Sequence, residues 1–96
     1  MLFRSRAASF ALEGRRQEKR EAEKSRRRFA ALETEIAERE SALEALTLRL
    51  SDPALWQDAD QARRLSADRD ALRATLDGLY PEWERLAVLL EPAASE

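Results

Sequence analysis

Eight basic side chains within residues 15–28 are the groups in this sequence best suited to binding a ligand. Their guanidinium and ammonium groups could neutralise phosphates of RNA or DNA, with an affinity that falls as the salt concentration rises. No aromatic residue lies within residues 15–28, so base-specific readout is unsupported. The candidate nucleic-acid-binding residues are Arg15, Arg16, Lys19, Arg20, Lys24, Arg26, Arg27 and Arg28.

The charge of the chain is divided unevenly around these residues. Residues 1–28 carry ten basic and four acidic side chains, whereas residues 29–96 carry seven basic and fifteen acidic ones. The formal net charge of −2 therefore hides a basic arm joined to an acidic body. This pattern is typical of a chain that touches an anionic partner with one end.

A simpler interpretation of the basic run is a solvated helix. Basic positions lie on most sides of that helix with acidic residues between them, so the sequence alone shows no clean binding face. Surface ion pairs at spacings of three or four residues would then link Glu13, Glu21 and Glu23 with Arg16, Lys24 and Arg27. Both interpretations stay open at this point.

Catalytic chemistry is disfavoured by the residue types that the chain lacks. There is no cysteine and no histidine, which excludes thiol chemistry, Cys/His zinc sites and histidine acid–base catalysis. The two glycines, Gly14 and Gly78, are too far apart for a Walker A loop or a dinucleotide fingerprint. Apolar runs are too short to span a bilayer. We therefore expect no enzyme activity, no cofactor, no metal site and no membrane partner.

The elements that must position these residues are two long helices. Ala, Leu, Glu, Arg and Lys make up 63 of the 96 residues, a composition typical of a coiled coil. Heptad seams run over residues 29–50 and 65–90, with only Arg39 and Arg69 as charges on them. They predict an all-α fold, an antiparallel two-helix coiled-coil hairpin. The expected segments are a disordered or frayed N-terminus 1–14, a hairpin 15–91 with helices over about 12–50 and 59–91 and a tip loop 51–59, and a frayed tail 92–96.

The turn between the seams carries helix-start signals. Asp52 is placed to cap a short helical turn with Pro53 in its first position. Asp58, with Gln61 three residues later, is a variant of the capping box and should start the second helix. Trp56 is expected either to fold back on the end of the core or to contact a partner. Asp52, Pro53 and Trp56 are the candidate tip residues.

The two seams also suggest a register. The expected layers pair Leu46 with Leu65, Leu32 with Leu79, and Phe29 with Trp83. The seam arginines should either reach flanking acids or fix this register, the acids being residues such as Glu35, Glu40 and Asp68. Pro81 removes a backbone donor within the second seam, and we expect a kink there because the heptad continues in phase.

The order of these features resembles the C-terminal coiled-coil domain of ABC-F ATPases, the ATP-binding-cassette proteins of translation. The resemblance covers about residues 15–91, and it is most specific at Asp52–Trp56 and Tyr80–Leu86, which follow the basic run Arg26–Arg28. Pro81 departs from the charged residue usual at that position, which puts a straight second helix in doubt.

This resemblance implies a non-catalytic hairpin that follows two ATPase cassettes in a longer, cytoplasmic protein. It implies that the basic residues before Phe29 contact rRNA, tRNA or DNA, that the ribosome is a partner, and that the Trp56 loop is the tip. The chain lacks both cassettes, so it looks like a detached or fragmentary version that could not hydrolyse ATP.

Other interpretations remain. The N-terminal helical domain of peptide-chain release factors is similar at the tip, and the coiled-coil arm of valyl-tRNA synthetases is a looser match. A plain structural or dimerisation coiled coil, with the seam pairing between chains, belongs to another functional class. The residues shared with release factors are Asp52, Pro53, Trp56, Asp58, Ala62 and Leu65.

Overall fold

The chain folds into two long helices joined by a short helical turn. A computed structural model describes the backbone of residues 2–91 and the side chains of residues 10–91. Helix α1 spans Leu2–Leu50, a 3-10 helix spans Pro53–Gln57, and helix α2 spans Ala59–Leu89. The all-α hairpin predicted from the heptads is confirmed. Within residues 2–91, neither long helix contains a stretch apolar enough to cross a membrane.

Helix α1 begins earlier than the sequence suggested. It starts at Leu2, whereas a start near residue 12 and a disordered or frayed segment over residues 1–14 were expected. Gly14 lies within this helix, but one glycine costs a helix only about 1 kcal/mol relative to alanine. The neighbouring Ala, Leu, Arg and Glu residues offset that cost and carry the helix through it. Met1 and the expected frayed tail at 92–96 lie outside the described residues.

Both caps in the tip form as the sequence indicates. The Asp52 carboxylate accepts a hydrogen bond of 3.0 Å from the backbone N–H of Ala54, and Pro53 occupies the first turn of the 3-10 helix. The Asp58 carboxylate accepts one of 3.2 Å from the N–H of Gln61 and starts α2. These bonds satisfy N–H groups that have no partner within their own helices, which fixes where each helix begins.

The core is a narrow seam divided into two parts. Leu32, Ile36 and Leu76 are buried toward the open base of the hairpin, and Leu50, Ala62 and Leu65 are buried at the tip. The layers between these clusters contain the two half-buried seam arginines. Arg39 reaches Glu35 at 3.1 Å, one of the acids expected, whereas Arg69 turns to Asp70 at 3.2 Å and not to Asp68. The arginine heads thus leave the seam for carboxylates at its edge while their stems cover it.

An aromatic stack fixes the register at the base of the hairpin. The rings of Phe29 and Trp83 lie nearly parallel, 14° apart in plane, with centroids separated by 6.0 Å. The predicted Phe29–Trp83 layer is therefore confirmed. Continued in this register, the end of α2 reaches about as far as Ala22, and a groove lined by Ala22 and Leu89 marks the place.

The part of α1 before Ala22 is called the stem here; among the described residues it extends past the end of α2 and meets it only at the groove that Glu18 and Glu21 share with Leu89. Every side chain described in it, from Phe10 to Glu21, is exposed. At 1.5 Å per residue the stem extends the hairpin by about 30 Å. The molecule is accordingly elongated, measuring 83 × 29 × 15 Å along its principal axes.

Pro81 does not break α2, which is continuous from Ala59 to Leu89. Proline has no N–H to give the carbonyl of Asp77, and such a position costs a helix about 3 kcal/mol. Packing on both sides offsets that cost, because Leu76 is buried before Pro81 and Trp83 stacks on Phe29 after it. The continuity of the heptad, visible in the sequence, is the reason that the helix continues.

Truncating a buried seam residue should destabilise the hairpin far more than truncating an exposed leucine. We expect Leu32→Ala, at a fully buried position, to lower the free energy of unfolding by about 2–4 kcal/mol. Leu89→Ala is the matched control and should change it by about 0.5 kcal/mol or less, since Leu89 is 67% exposed. Urea denaturation followed by circular dichroism measures both values. Equal losses in the two variants would contradict the seam described above.

Candidate nucleic-acid interface

Seven of the eight candidate basic side chains are exposed to solvent without a carboxylate partner among the described side chains. Successive residues of an α-helix are rotated by about 100°, so their directions follow from their numbers. On this basis the seven spread over about half of the helix circumference. They are Arg15, Arg16, Lys19, Arg20, Lys24, Arg26 and Arg27. This half of α1 is called the basic face below.

The opposite half of the helix carries acidic side chains and faces the end of α2. It carries Glu18 and Glu21, together with Ala22 and Ser25, which are half-buried beside the end of α2. Glu13 and Glu23 are the acidic residues that remain on the basic face. With Arg28 set aside, seven cations against two carboxylates occupy one recognisable side of the helix.

The ion pairs expected from the solvated-helix interpretation do not form among the described side chains. Glu13, Glu21 and Glu23 were expected to hold Arg16, Lys24 and Arg27. Instead, Glu21 accepts a hydrogen bond of 3.1 Å from the side-chain amide of Gln17, and Arg20 donates one of 3.1 Å to the oxygen of that amide. The positive charge of the basic face is therefore left for solvent or a ligand.

Arg28 has a different environment from the other seven candidates. Its Nε and Nη2 donate to the two carboxylate oxygens of Glu82 at 2.7 and 3.0 Å, a bidentate pair that joins α1 to α2. The hydrogen bond from Arg28 lowers the pKa of Glu82 and, in return, raises the pKa of Arg28. Because a bidentate partner already occupies the guanidinium, Arg28 is less available to a phosphate.

A second polar contact joins α1 to α2 across the hairpin. The Tyr80 hydroxyl donates a hydrogen bond to the carboxylate of Glu40, and this bond raises the pKa of Tyr80. Sequence reasoning missed both this contact and the Arg28–Glu82 pair. In the antiparallel pair, Arg28 and Glu82 lie one residue to either side of the Phe29–Trp83 layer, and the long arginine side chain spans that offset.

Trp56 folds back on the end of α1 while part of its ring stays exposed. Its indole N–H donates a 2.8 Å hydrogen bond to the backbone carbonyl of Leu50, at the end of α1. That carbonyl is at the C-terminal end of α1, where no N–H of the same helix can reach it. The side chain nevertheless remains 55% exposed, so an aromatic surface is held at the tip beside Asp52 and Pro53.

A comparison with protein families decides what kind of domain this hairpin is. The model of the family described as "ABC transporter C-terminal domain" matches residues 15–87. The chain belongs to the ABC transporter C-terminal domain family. The resemblance to the ABC-F C-terminal hairpin, drawn from the tip and the Tyr80–Leu86 segment, is thereby confirmed.

The domain is also similar to a peptide-chain release factor. It is 35% identical over 65 residues to "Peptide chain release factor RF2" of Thermus thermophilus. The match covers 65% of this chain, and the chain spans only 17% of the length of that release factor. No solved structure matches the chain. The family therefore identifies a helical domain of ABC-F type, and its partners are considered under the next heading.

Glu82 should make the stability of this ABC transporter C-terminal domain depend on acid pH. Since its pKa is lowered in the folded state, its contribution is present above the ordinary value of 4.5 and is lost as the pH falls through the folded-state pKa. We expect Glu82→Gln to lower the melting temperature at about pH 7 and to match the wild type more closely at about pH 3. Glu84→Gln, at an exposed neighbouring carboxylate, should show a smaller difference at both pH values. A constant deficit of Glu82→Gln across this range would contradict the role of the ion pair.

The hydrogen bond from the Trp56 indole and the packing of its ring should each contribute to the stability of the tip. Trp56→Phe keeps an aromatic ring but removes the donor to Leu50, and we expect the free energy of unfolding to fall by about 0.5–1.5 kcal/mol. Trp56→Ala should lose more, because the half-buried part of the ring is lost as well. Urea denaturation gives both values. A Phe variant as stable as the wild type would mean that water replaces the indole donor without loss.

Proposed function

We propose that this domain is a non-catalytic module that contacts RNA or DNA through the basic face of α1. The observation that carries the proposal is the set of seven exposed cations on one half of a helix that extends beyond its partner helix. The candidate ligands are rRNA, tRNA and DNA, with the ribosome as the expected site of action in the cytoplasm. Membership of the family supports a place beside ATP-binding cassettes of a longer protein.

The chemistry of the basic face suits a phosphate backbone. From Arg15 to Arg27 the face is about 18 Å long, a length over which double-stranded nucleic acid presents several phosphates. Long flexible side chains can follow that spacing without reading bases. The expected binding is therefore tolerant of sequence and strongly dependent on salt.

The tip offers a second point of contact in this proposal. Asp52 and Pro53 fix the 3-10 helix, and the exposed part of the Trp56 ring is held by its bond to Leu50. An aromatic surface of this kind can stack on an exposed base or on another flat group. The tip would then add affinity at the far end of the hairpin, away from the stem.

A second candidate function comes from the similarity to the release factor. The shared residues make a domain like the N-terminal helical part of a peptide-chain release factor the alternative. Both candidates act on the translation machinery, so they predict the same class of partner. A plain coiled coil that pairs its seam between chains is less favoured, because the seam is closed here within one chain.

Removing charge from the basic face should weaken nucleic-acid binding and its salt dependence. The test variant combines Arg15→Gln, Arg16→Gln, Lys19→Gln and Arg20→Gln. With duplex DNA, we expect the slope of log affinity against log salt to flatten by up to about 3.6, or about 0.9 for each lost phosphate contact. Fluorescence anisotropy with labelled RNA and DNA over a salt series measures the slope.

The matched control removes the same number of charges from the acidic body. It combines Arg49→Gln, Arg63→Gln, Arg64→Gln and Arg73→Gln, all of them at exposed positions. This control should keep a slope close to that of the wild type. Absence of salt-dependent binding in the wild type, or equal loss in the two variants, would overturn the proposal. Circular dichroism shows that each variant keeps its helices.

A further inference from the structure

One stripe along α1 carries charges in an order that is complementary to itself. At about 100° per residue, the stripe covers an arc of about 80° on the flank of the seam and is open to solvent except at half-buried Ala22. Every charged residue in its first half is basic, and every charged residue in its second half is acidic. In order along α1 the stripe is Leu12, Arg15, Lys19, Ala22, Arg26, Ala30, Glu33, Ala37, Glu40, Glu44 and Leu48.

The spacings of these charges are the same when read from either end. An antiparallel copy of α1 that crosses between residues 29 and 30 places Arg26 opposite Glu33. The same alignment places Lys19 opposite Glu40 and Arg15 opposite Glu44. A two-fold axis makes each of these pairs occur twice, as a symmetric dimer interface requires. No like-charged pair occurs in this alignment.

The uncharged residues of the stripe fit the same alignment. Ala22 falls opposite Ala37, and Ala30 lies beside the two-fold axis, so small side chains allow the helices to approach closely there. Leu12 and Leu48, which are 46% and 73% exposed, come together at each end of the contact. An open groove of about 560 Å³ borders Glu40, Glu44 and Leu48 and leaves room for the arginine and lysine side chains of a second copy.

We propose that this stripe is an interaction surface for a second copy of this chain. The two α1 helices pack antiparallel along residues 12–48, a contact of about 54 Å. The hairpin seam is not exchanged, and each copy keeps its own α2. Complementary charge specifies the alignment and makes the dimer sensitive to salt.

The dimer divides the cations of the basic face between two tasks. Arg15, Lys19 and Arg26 face the second copy, whereas four other cations point outward from the pair. These are Arg16, Arg20, Lys24 and Arg27. The dimer does not depend on the proposed nucleic-acid binding, and it is measured with no nucleic acid present. Failure of one proposal is therefore distinguishable from failure of the other.

Charge exchange provides the test. One variant combines Arg15→Glu with Arg26→Glu, and a second combines Glu33→Arg with Glu44→Arg. Lys19 and Glu40 stay unchanged so that the Tyr80 contact is kept. Sedimentation velocity at low salt and roughly 100 μM protein should show a dimer for the wild type and at least about tenfold weaker self-association for each variant alone. An equimolar mixture of the two variants should form a heterodimer, and one chain with all four changes should dimerise again.

Matched controls carry the same changes on the outer side of α1. Arg16→Glu with Arg20→Glu, and Glu13→Arg with Glu38→Arg, should leave the dimer intact. A monomeric wild type would overturn the proposal. So would variants that dimerise as well as the wild type, a mixture that stays monomeric, or controls that disrupt the dimer equally. Circular dichroism of every variant separates loss of the dimer from loss of the fold.

Discussion

The stacking of one apolar seam against the other is the interaction on which the whole molecule depends. The seam has few fully buried residues, and they lie in two clusters separated by the layers of Arg39 and Arg69. A helical pair with so little core holds only where its layers meet in register. The Phe29–Trp83 stack sets that register at the base, and the buried Leu50 and Leu65 set it at the tip.

Polar contacts reinforce the hairpin around Pro81, where α2 lacks a backbone hydrogen bond. Pro81 deprives α2 of a backbone hydrogen bond close to its end. On either side of that position, Tyr80 bonds to Glu40 and Glu82 makes its bidentate pair with Arg28. Both contacts join the weakened stretch of α2 to α1. They help α2 to stay helical and packed on α1 there, although each contact is partly open to water and modest in strength.

Much of this fold was predictable because its signals are periodic and local. The heptads gave two helices, Asp52 and Asp58 gave their caps, and the expected Phe29–Trp83 layer followed from the register. The start of α1 was placed too late, since helix propensity is a weak signal at the end of a chain. The basic face was invisible for a different reason. Helix positions place seven cations on one half of α1, but no local pattern shows that Arg28 alone is held by a carboxylate of the other helix.

The stem owes its helical form to the hairpin that it extends. Starting a helix is costly and lengthening one is not, so a segment joined to a packed helix continues at little cost where a separate peptide of that length would be marginal. Its cations are consequently held at fixed spacings before any partner arrives. A partner that binds a preformed helix loses less conformational entropy than one that must order a flexible basic tail. The charged stripe along α1 depends on the same rigidity, because residues three and four apart stay on one side only while the chain is helical.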